Sequence, residues 1–243
     1  MRTAAVIIIG NEILSGKFAD ENGPYLIGRL RALGVRLRRL VVVEDTLDEL
    51  SEEIRGCAER HDLVFTTGGV GPTHDDITMD AVAAAFGVPV VERADLIEMF
   101  ERYAGGPINA ATRRMASIPD GSELWWEGAL RFPVVVKENV HIFPGVPSFM
   151  RLKFEAIAAR FADTPVHTAR VTTRERESDI AARLSQAVAR WPAVEIGSYP
   201  RFEAETWHVI VTLEGPDPGA VEACRAWLAG SLEPVQLSRG DLS

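Results

Sequence analysis

Paired aspartates, Asp75 and Asp76, follow three glycines in the stretch FTTGGVGPTHDDITMDA, residues 65–81. Gly68, Gly69 and Gly71 can take positive φ and let the backbone come close to a ligand. Thr73 to Ile77 then leads into a helix N-terminus, where free N–H groups and the helix dipole favour an anion. The loop matches neither a G-x-x-x-x-G-K-[ST] nor a G-x-G-x-x-G pattern, and it holds no lysine to meet a phosphate. Two carboxylates alone would repel a phosphate. With a hard divalent cation between them and the phosphate, the same residues become a binding site. A simpler reading keeps Asp76 as the N-cap of the helix. A helix requires one cap, however, and Thr73, Asp75, Asp76 and Thr78 offer four candidates.

The elements that must position this loop read as an alternating βα series. AAVIII (4–9) is a continuous apolar run suited to a strand covered on both faces. Pro24 suits a helix start and Gly34 a helix end, with Leu26, Leu30 and Leu33 at helical spacing. RRLVVVE is a second strand. TLDE (46–49) has capping-box spacing ahead of a helix face of Leu47, Leu50, Ile54 and Cys57. DLVFTT (62–67) is a third strand, and Met79, Val82, Ala83 and Phe86 stripe the helix that Gly87 stops. Further along come a charged helix near 93–103, a turn-rich SIPDGSELWW, and a hairpin in FPVVVKENVHIF with KEN at the bend. PGVPS (144–148) then opens a helix near Pro147. Such a series predicts a doubly wound, mostly parallel α/β sheet with helices on both faces. Ligands of such sheets bind at the carboxyl ends of the strands. GNEILSG (10–16) and EDT (44–46), which carries Asp45, should meet the glycine loop there. FPGVPS could cradle a second anion at its own helix start. Each of these segments also reads simply as a turn or a cap.

The pattern changes near residue 164. Strand, helix, strand, strand and helix follow within about 80 residues, enough for a small α+β domain with antiparallel strands. Ile180, Leu184 and Val188 mark its first helix face, and Val221, Cys224 and Leu228 its second. The expected organisation is therefore a domain over 1–163 and a second over 164–243.

Composition narrows the function. The 243 residues carry 26 Lys and Arg against 35 Asp and Glu, a balance that argues against nucleic-acid binding but leaves room for a small anionic ligand. Cys57 and Cys224 lie far apart at apolar helical positions, which fits core packing. No apolar stretch is long enough to span a bilayer. MRTAAVIIIG reads as a buried first strand, and a cytoplasmic protein with no membrane partner is expected.

Taken together, IIIGNEILSGKFADEN, VVVEDT, VFTTGGVGPTHDDIT and IFPGVPS resemble the molybdopterin-binding (MoaB/Mog-like) domain family, in the family's order, over residues 1–163. The remainder is similar to the small part that follows this domain in competence/damage-inducible protein A and in the N-terminal half of eukaryotic FAD synthase. The resemblance implies a pocket for a small-molecule nucleotide or pterin at the glycine loop. It implies ligand contacts from Gly10, Glu12, Thr66, Thr67, Gly68, Gly69, Val70, Gly71, Pro72 and Thr73, and from Pro144, Gly145, Val146, Pro147 and Ser148. Asp45 and Asp76 match two aspartates that serve activity in the adenylyltransferase branch. The branch this chain looks more like contains metal-dependent pyrophosphatases that split FAD or ADP-ribose. A divalent cation (Mg²⁺, Mn²⁺ or Co²⁺) on Asp45, Asp75 and Asp76 is the expected cofactor, and a homodimer or homotrimer the expected assembly. Molybdopterin adenylylation and binding without turnover remain the competing readings. Asn11 stands where many relatives carry Asp, and Asp75 where adenylyltransferases carry a basic residue.

Overall fold

A computed structural model describes residues 1–128, 130–203 and 206–233. The chain forms two compact units, Met1–Asp163 and Thr164–Ser243. Residues 234–243 of the expected second domain lie outside the described residues.

In the first unit the chain runs β1 (Thr3–Ile9), a short helix α1 (Asn11–Leu14), α2 (Asn22–Ala32), β2 (Arg36–Val43), α3 (Leu47–Arg60), β3 (Leu63–Thr67) and α4 (Thr78–Phe86). It continues through β4 (Val90–Glu92), α5 (Ala94–Ala104), α6 (Ala110–Arg114), β5 (Ser117–Pro119) and β6 (Glu123–Trp125). The strands β7 (Val134–Lys137) and β8 (Val140–Phe143), helix α7 (Pro147–Ile157) and a 3₁₀ turn over Ala158–Phe161 complete it. The sheet order is β2-β1-β3-β8-β7-β6. β2, β1, β3 and β8 are parallel, and β7 and β6 are antiparallel additions. The expected doubly wound α/β fold is therefore present.

The two-residue period of β1 explains the layers. Ala5, Ile7 and Ile9 pack with Leu50, Ile54 and Cys57 of α3, Val82 of α4 and Phe100 of α5. Ala4, Val6 and Ile8 pack on the other face with Leu26 and Leu30 of α2 and with Met150 and Phe154 of α7. Burying each such branched side chain stabilises the fold by roughly 1.5–3 kcal/mol. The strand order reverses direction between β1 and β3, so the loops after these strands border the topological switch point.

Several local expectations are corrected. Thr46 is the N-cap of α3, but its side chain makes no capping hydrogen bond, so the capping-box spacing of TLDE is not used. Leu47 is exposed, while Leu50, Ile54 and Cys57 are buried. The β7–β8 bend is Glu138–Asn139 alone: Lys137 pairs with Val140 inside the ladder. Asn139 secures that turn by donating to the Ala58 and His61 carbonyls. The turn-rich SIPDGSELWW contains β5 and β6.

The second unit comprises β9 (His167–Thr173), α8 (Glu177–Arg190), β10 (Glu195–Glu203), β11 (Thr206–Gly215) and α9 (Pro218–Ser231). Its antiparallel order is β10-β11-β9. Val209, Val211 and Leu213 meet Ile180 of α8 and Val221, Cys224 and Leu228 of α9. Val188 is half exposed and does not belong to the α8 core face. Ala187 occupies that place.

Candidate active site

Four loops leave the carboxyl ends of β1, β2, β3 and β8 along one sheet edge, and they touch. Gly68 has φ 111° and Gly69 φ 58°. A Cβ on Gly68 would lie 2.0 Å from the Ile9 carbonyl oxygen, so no other residue fits without moving backbone. A Cβ on Gly145 would lie 3.2 Å from Gly68 Cα, so the β8–α7 loop rests on the glycine loop. Thr78, the first residue of α4, holds the loop from beneath. Its Oγ1 donates to the Gly68 carbonyl at 2.8 Å and its N–H to the Gly69 carbonyl at 3.1 Å.

Asn22 is a residue of this candidate site that motif reading passed over. It is only 6 % exposed. Its Nδ2 donates to Thr67 Oγ1 at 2.8 Å and to the Gly145 carbonyl at 2.7 Å. Thr67 Oγ1 in turn donates to the Pro144 carbonyl at 3.0 Å. One amide therefore ties α2, β3 and the β8–α7 loop together. The only hint in the sequence was its place in the segment ADEN. Thr66 and Thr67 are buried beneath the loop, and Thr67 serves this clasp. The Gly68 N–H donates to the Phe143 carbonyl at 3.3 Å. The amides of Gly69, Val70 and Gly71 are then the candidates for an anion.

The aspartates do not behave as a helix cap. Ile77 occupies the N-cap of α4. Asp76 instead accepts from Thr73 N–H at 2.8 Å and from Thr73 Oγ1 at 2.5 Å through one oxygen, Oδ2. The carboxylate folds against Gly71, where a Cβ would lie 2.5 Å from Oδ2. Asp75 is 64 % exposed at the loop tip, beside the fully exposed His74. On the far side of the loop, Asp45 Oδ2 accepts from Asn11 N–H at 2.9 Å. Burial raises the Asp45 carboxyl, the Asn11 bond opposes the rise, and the charges of Glu12, Asp75 and Asp76 add to it. Glu12, Asp75 and Asp76 thus act on Asp45 through charge at a distance, without direct contact. Among the described residues, no three His, Cys, Asp or Glu side chains converge closely enough to enclose a metal ion. The donors are all hard carboxylate oxygens, the set for a cation that keeps waters and takes its remaining ligands from a phosphate.

On the other side of Gly69, Val70, Gly71 and Pro72 a cavity of about 530 Å³ opens. Asp76, Pro144 and Val146 also line it. Glu12, Asp45, Thr66, Thr67, Pro147 and Ser148 lie off its wall. The glycine loop therefore borders a largely apolar chamber into which Asp76 and Asp80 bring carboxylates.

Residues 5–164 match the family described as "Probable molybdopterin binding domain". The chain belongs to the molybdopterin-binding domain family. Residues 165–239 match the family described as "FAD synthase, middle domain". This molybdopterin-binding-domain protein is 34% identical over 217 residues to a protein of Archaeoglobus fulgidus, covering 89% of this chain and 92% of that one. It is 32% identical over 258 residues to a "Probable FAD synthase" of Caenorhabditis briggsae, covering 92% of this chain but 48% of the relative. The chain thus spans about half the length of that FAD synthase relative. A crystal structure of CinA from Thermoplasma acidophilum, titled as of unknown function, matches with a TM-score of 0.61 and 32% identity. The match covers 66% of this chain and 98% of that one. Among the described residues, no helix is long and apolar enough to cross a membrane.

Proposed function

We propose that the protein is a metal-dependent nucleotide pyrophosphatase that splits a dinucleotide diphosphate of the FAD or ADP-ribose type and releases AMP. The observation that carries this reading is the Asp76 carboxylate held against Gly71 of the glycine loop by Thr73, with the exposed Asp75 beside it and Asp45 on the flanking loop. A phosphate on the loop amides would be repelled by those carboxylates, and a divalent cation would reverse that repulsion. Asp45, Asp75 and Asp76 would hold Mg²⁺, Mn²⁺ or Co²⁺. When bound, such a cation neutralises diphosphate oxygens and lowers the pKa of a coordinated water.

The chain's own groups do the rest. The amides of Gly69, Val70 and Gly71 donate to the diphosphate oxygens on which charge builds. Thr73 fixes Oδ2 of Asp76, so that carboxylate has one orientation toward the loop and can align the attacking water. Asn22 and Thr78 hold the loop in its strained shape before substrate arrives, so little reorganisation is needed. Water adds to one phosphorus, the bridging P–O bond breaks, and the products are AMP and the partner phosphate monoester. The match of residues 165–239 and the FAD synthase relative support a flavin dinucleotide as the substrate class.

A second reading, AMP transfer to molybdopterin, is favoured by the name of the family itself. The acidic Asp75 counts against it, since it adds negative charge where ATP would sit. Chromatographic assay of AMP from FAD, ADP-ribose and ATP, with each cation and with EDTA, separates the readings. AMP from FAD or ADP-ribose only with metal supports hydrolysis. Consumption of ATP with release of pyrophosphate and adenylylation of a pterin acceptor supports transfer, and tight binding without turnover supports a binding module.

A further inference from the structure

Asp76 is held from two directions, and only one of them lies inside its own loop. Its N–H donates to the Thr73 carbonyl at 3.3 Å, and its carboxylate accepts from Thr73 N–H and Oγ1. Those bonds shape the turn 73–76 but do not by themselves fix how the turn stands against the rest of the unit. The long-range bond is made to the main chain. Ile77 is the N-cap of α4, and its carbonyl accepts from Ala81 N–H at 2.9 Å. The Asp76 carbonyl therefore stands one residue outside the helical ladder. Nη2 of Arg114 donates to it at 3.1 Å, across 38 residues of sequence. The same nitrogen lies 3.7 Å from Asp80 Oδ2 in the first turn of α4.

Arg114 projects from a braced support. Asn109 caps α6, its Oδ1 accepting from Thr112 N–H at 2.8 Å. Arg113 Nη1 donates to Glu92 Oε2 at 2.8 Å, which ties α6 to β4. The Ala116 carbonyl just after α6 accepts from Arg93 N–H at 3.0 Å. A guanidinium suits the place, because its charge strengthens a hydrogen bond to a neutral carbonyl and also meets the Asp80 carboxylate. Displacing a reacting group by about 1 Å costs on the order of 10²-fold in rate, so a bond to a backbone carbonyl can matter to catalysis. We infer that Arg114 is a positioning residue: from α6 it sets the stance of Asp76 beside the glycine loop and acts on the reaction only through that carboxylate. The inference rests on the reading that Asp76 serves the cleavage of a diphosphate. Arg114 also lines the chamber, so the test separates holding Asp76 from holding a ligand.

The Thr73 amide reports on Asp76 without substrate or metal, because the carboxylate shields it. Its hydrogen exchange is followed by NMR in the full chain, with Asp76→Ala as the unshielded limit. Arg114→Met keeps the apolar stem, and the side chain is 42 % exposed, so the fold should survive. Arg114→Gln repeats the test should Arg114→Met melt early. Exchange at Thr73 is expected to quicken about 10-fold in Arg114→Met, while the Ala81 amide keeps its wild-type rate. Arg114→Lys should restore part of the shielding. Arg113→Ala cuts the tie to β4 and should leave Thr73 as in the wild type. With FAD and Mn²⁺, kcat should fall about 10-fold in Arg114→Met at unchanged KM. A wild-type exchange rate at Thr73 in folded Arg114→Met overturns the inference. An equal change in Arg113→Ala overturns it too, since the docking of α6 would then be the cause. So does a raised KM with kcat unchanged, since the guanidinium would then hold the ligand. Quickened exchange with no AMP from the wild type under any cation keeps Arg114 as the brace of Asp76 and removes the pyrophosphatase reading instead.

Discussion

His141 and Lys153 of the α/β unit both lie near aromatic rings, and the fold treats them differently. His141 of β8 is 3 % exposed. Phe65 stacks on it at 5.3 Å, Trp125 meets it edge-on at 5.1 Å and Phe161 at 4.9 Å. Arg160 lies 4.5 Å over the outer Trp125 ring. Lys153 also sits near aromatic rings, but those rings line a space instead of filling it. Burial drives His141 down to about 4, so at neutral pH the imidazole is uncharged and its enclosure is cheap. Lys153, at about 8, keeps its charge beside open volume. The closed cluster fills its space with side chains, and the open one leaves a cavity of about 530 Å³.

The largest test of that contrast is truncation. Phe65→Ala should destabilise the unit by about 3–5 kcal/mol, because the residue is fully buried among four aromatic neighbours. Phe132→Ala should cost about 1 kcal/mol, since part of its surface already faces the chamber. Urea denaturation of both variants checks the pair, and equal losses would break the comparison.

Acid stability comes next. His141 has a folded pKa of about 4 against an ordinary value of 6.5. Between those values the unfolded chain holds a proton that the folded chain does not. Stability is therefore complete above about pH 6.5 and lost as the pH falls toward 4, by on the order of 3 kcal/mol. His141→Phe keeps a ring but removes this titration, so its stability should fall less steeply over that window than that of the wild type, other shifted groups such as His61 remaining.

The smallest effect belongs to Lys153. Its folded pKa lies below its ordinary 10.5, so between about 8 and 10.5 the unfolded state binds more protons. Wild-type stability should climb through that window by about 1 kcal/mol, the long side chain relieving part of its burial by reaching the chamber mouth. Lys153→Met should show no such climb. Thermal melts from pH 7.5 to 10 measure the difference.

The sheet was legible in the sequence because its cues are local. The apolar run of β1, the glycines after β3 and the stripes of α3 and α9 each declare themselves within a few residues. That the loops carrying Asp45 and the glycines share one sheet edge was legible too, because parallel strands put their carboxyl ends together. What stayed hidden depends on distant partners. Asn22 reaches residues 45 and 123 positions away. Asp76 turned back to Thr73 instead of capping α4, since Thr78 already anchors the helix start to the glycine loop. The chamber draws on the glycine loop, α5, α6, the segment before β7 and α7 together, and no single stretch announces it.

The central claim is that the acidic edge and the glycine loop act on one diphosphate. The most direct measurement is AMP release from FAD with Mn²⁺, Mg²⁺ or Co²⁺, comparing wild type with Asp76→Asn of confirmed fold. The expected result is metal-dependent AMP from wild type, none with EDTA, and a loss of at least 100-fold in kcat for the variant. A folded Asp76→Asn protein that releases AMP at the wild-type rate would contradict the assignment.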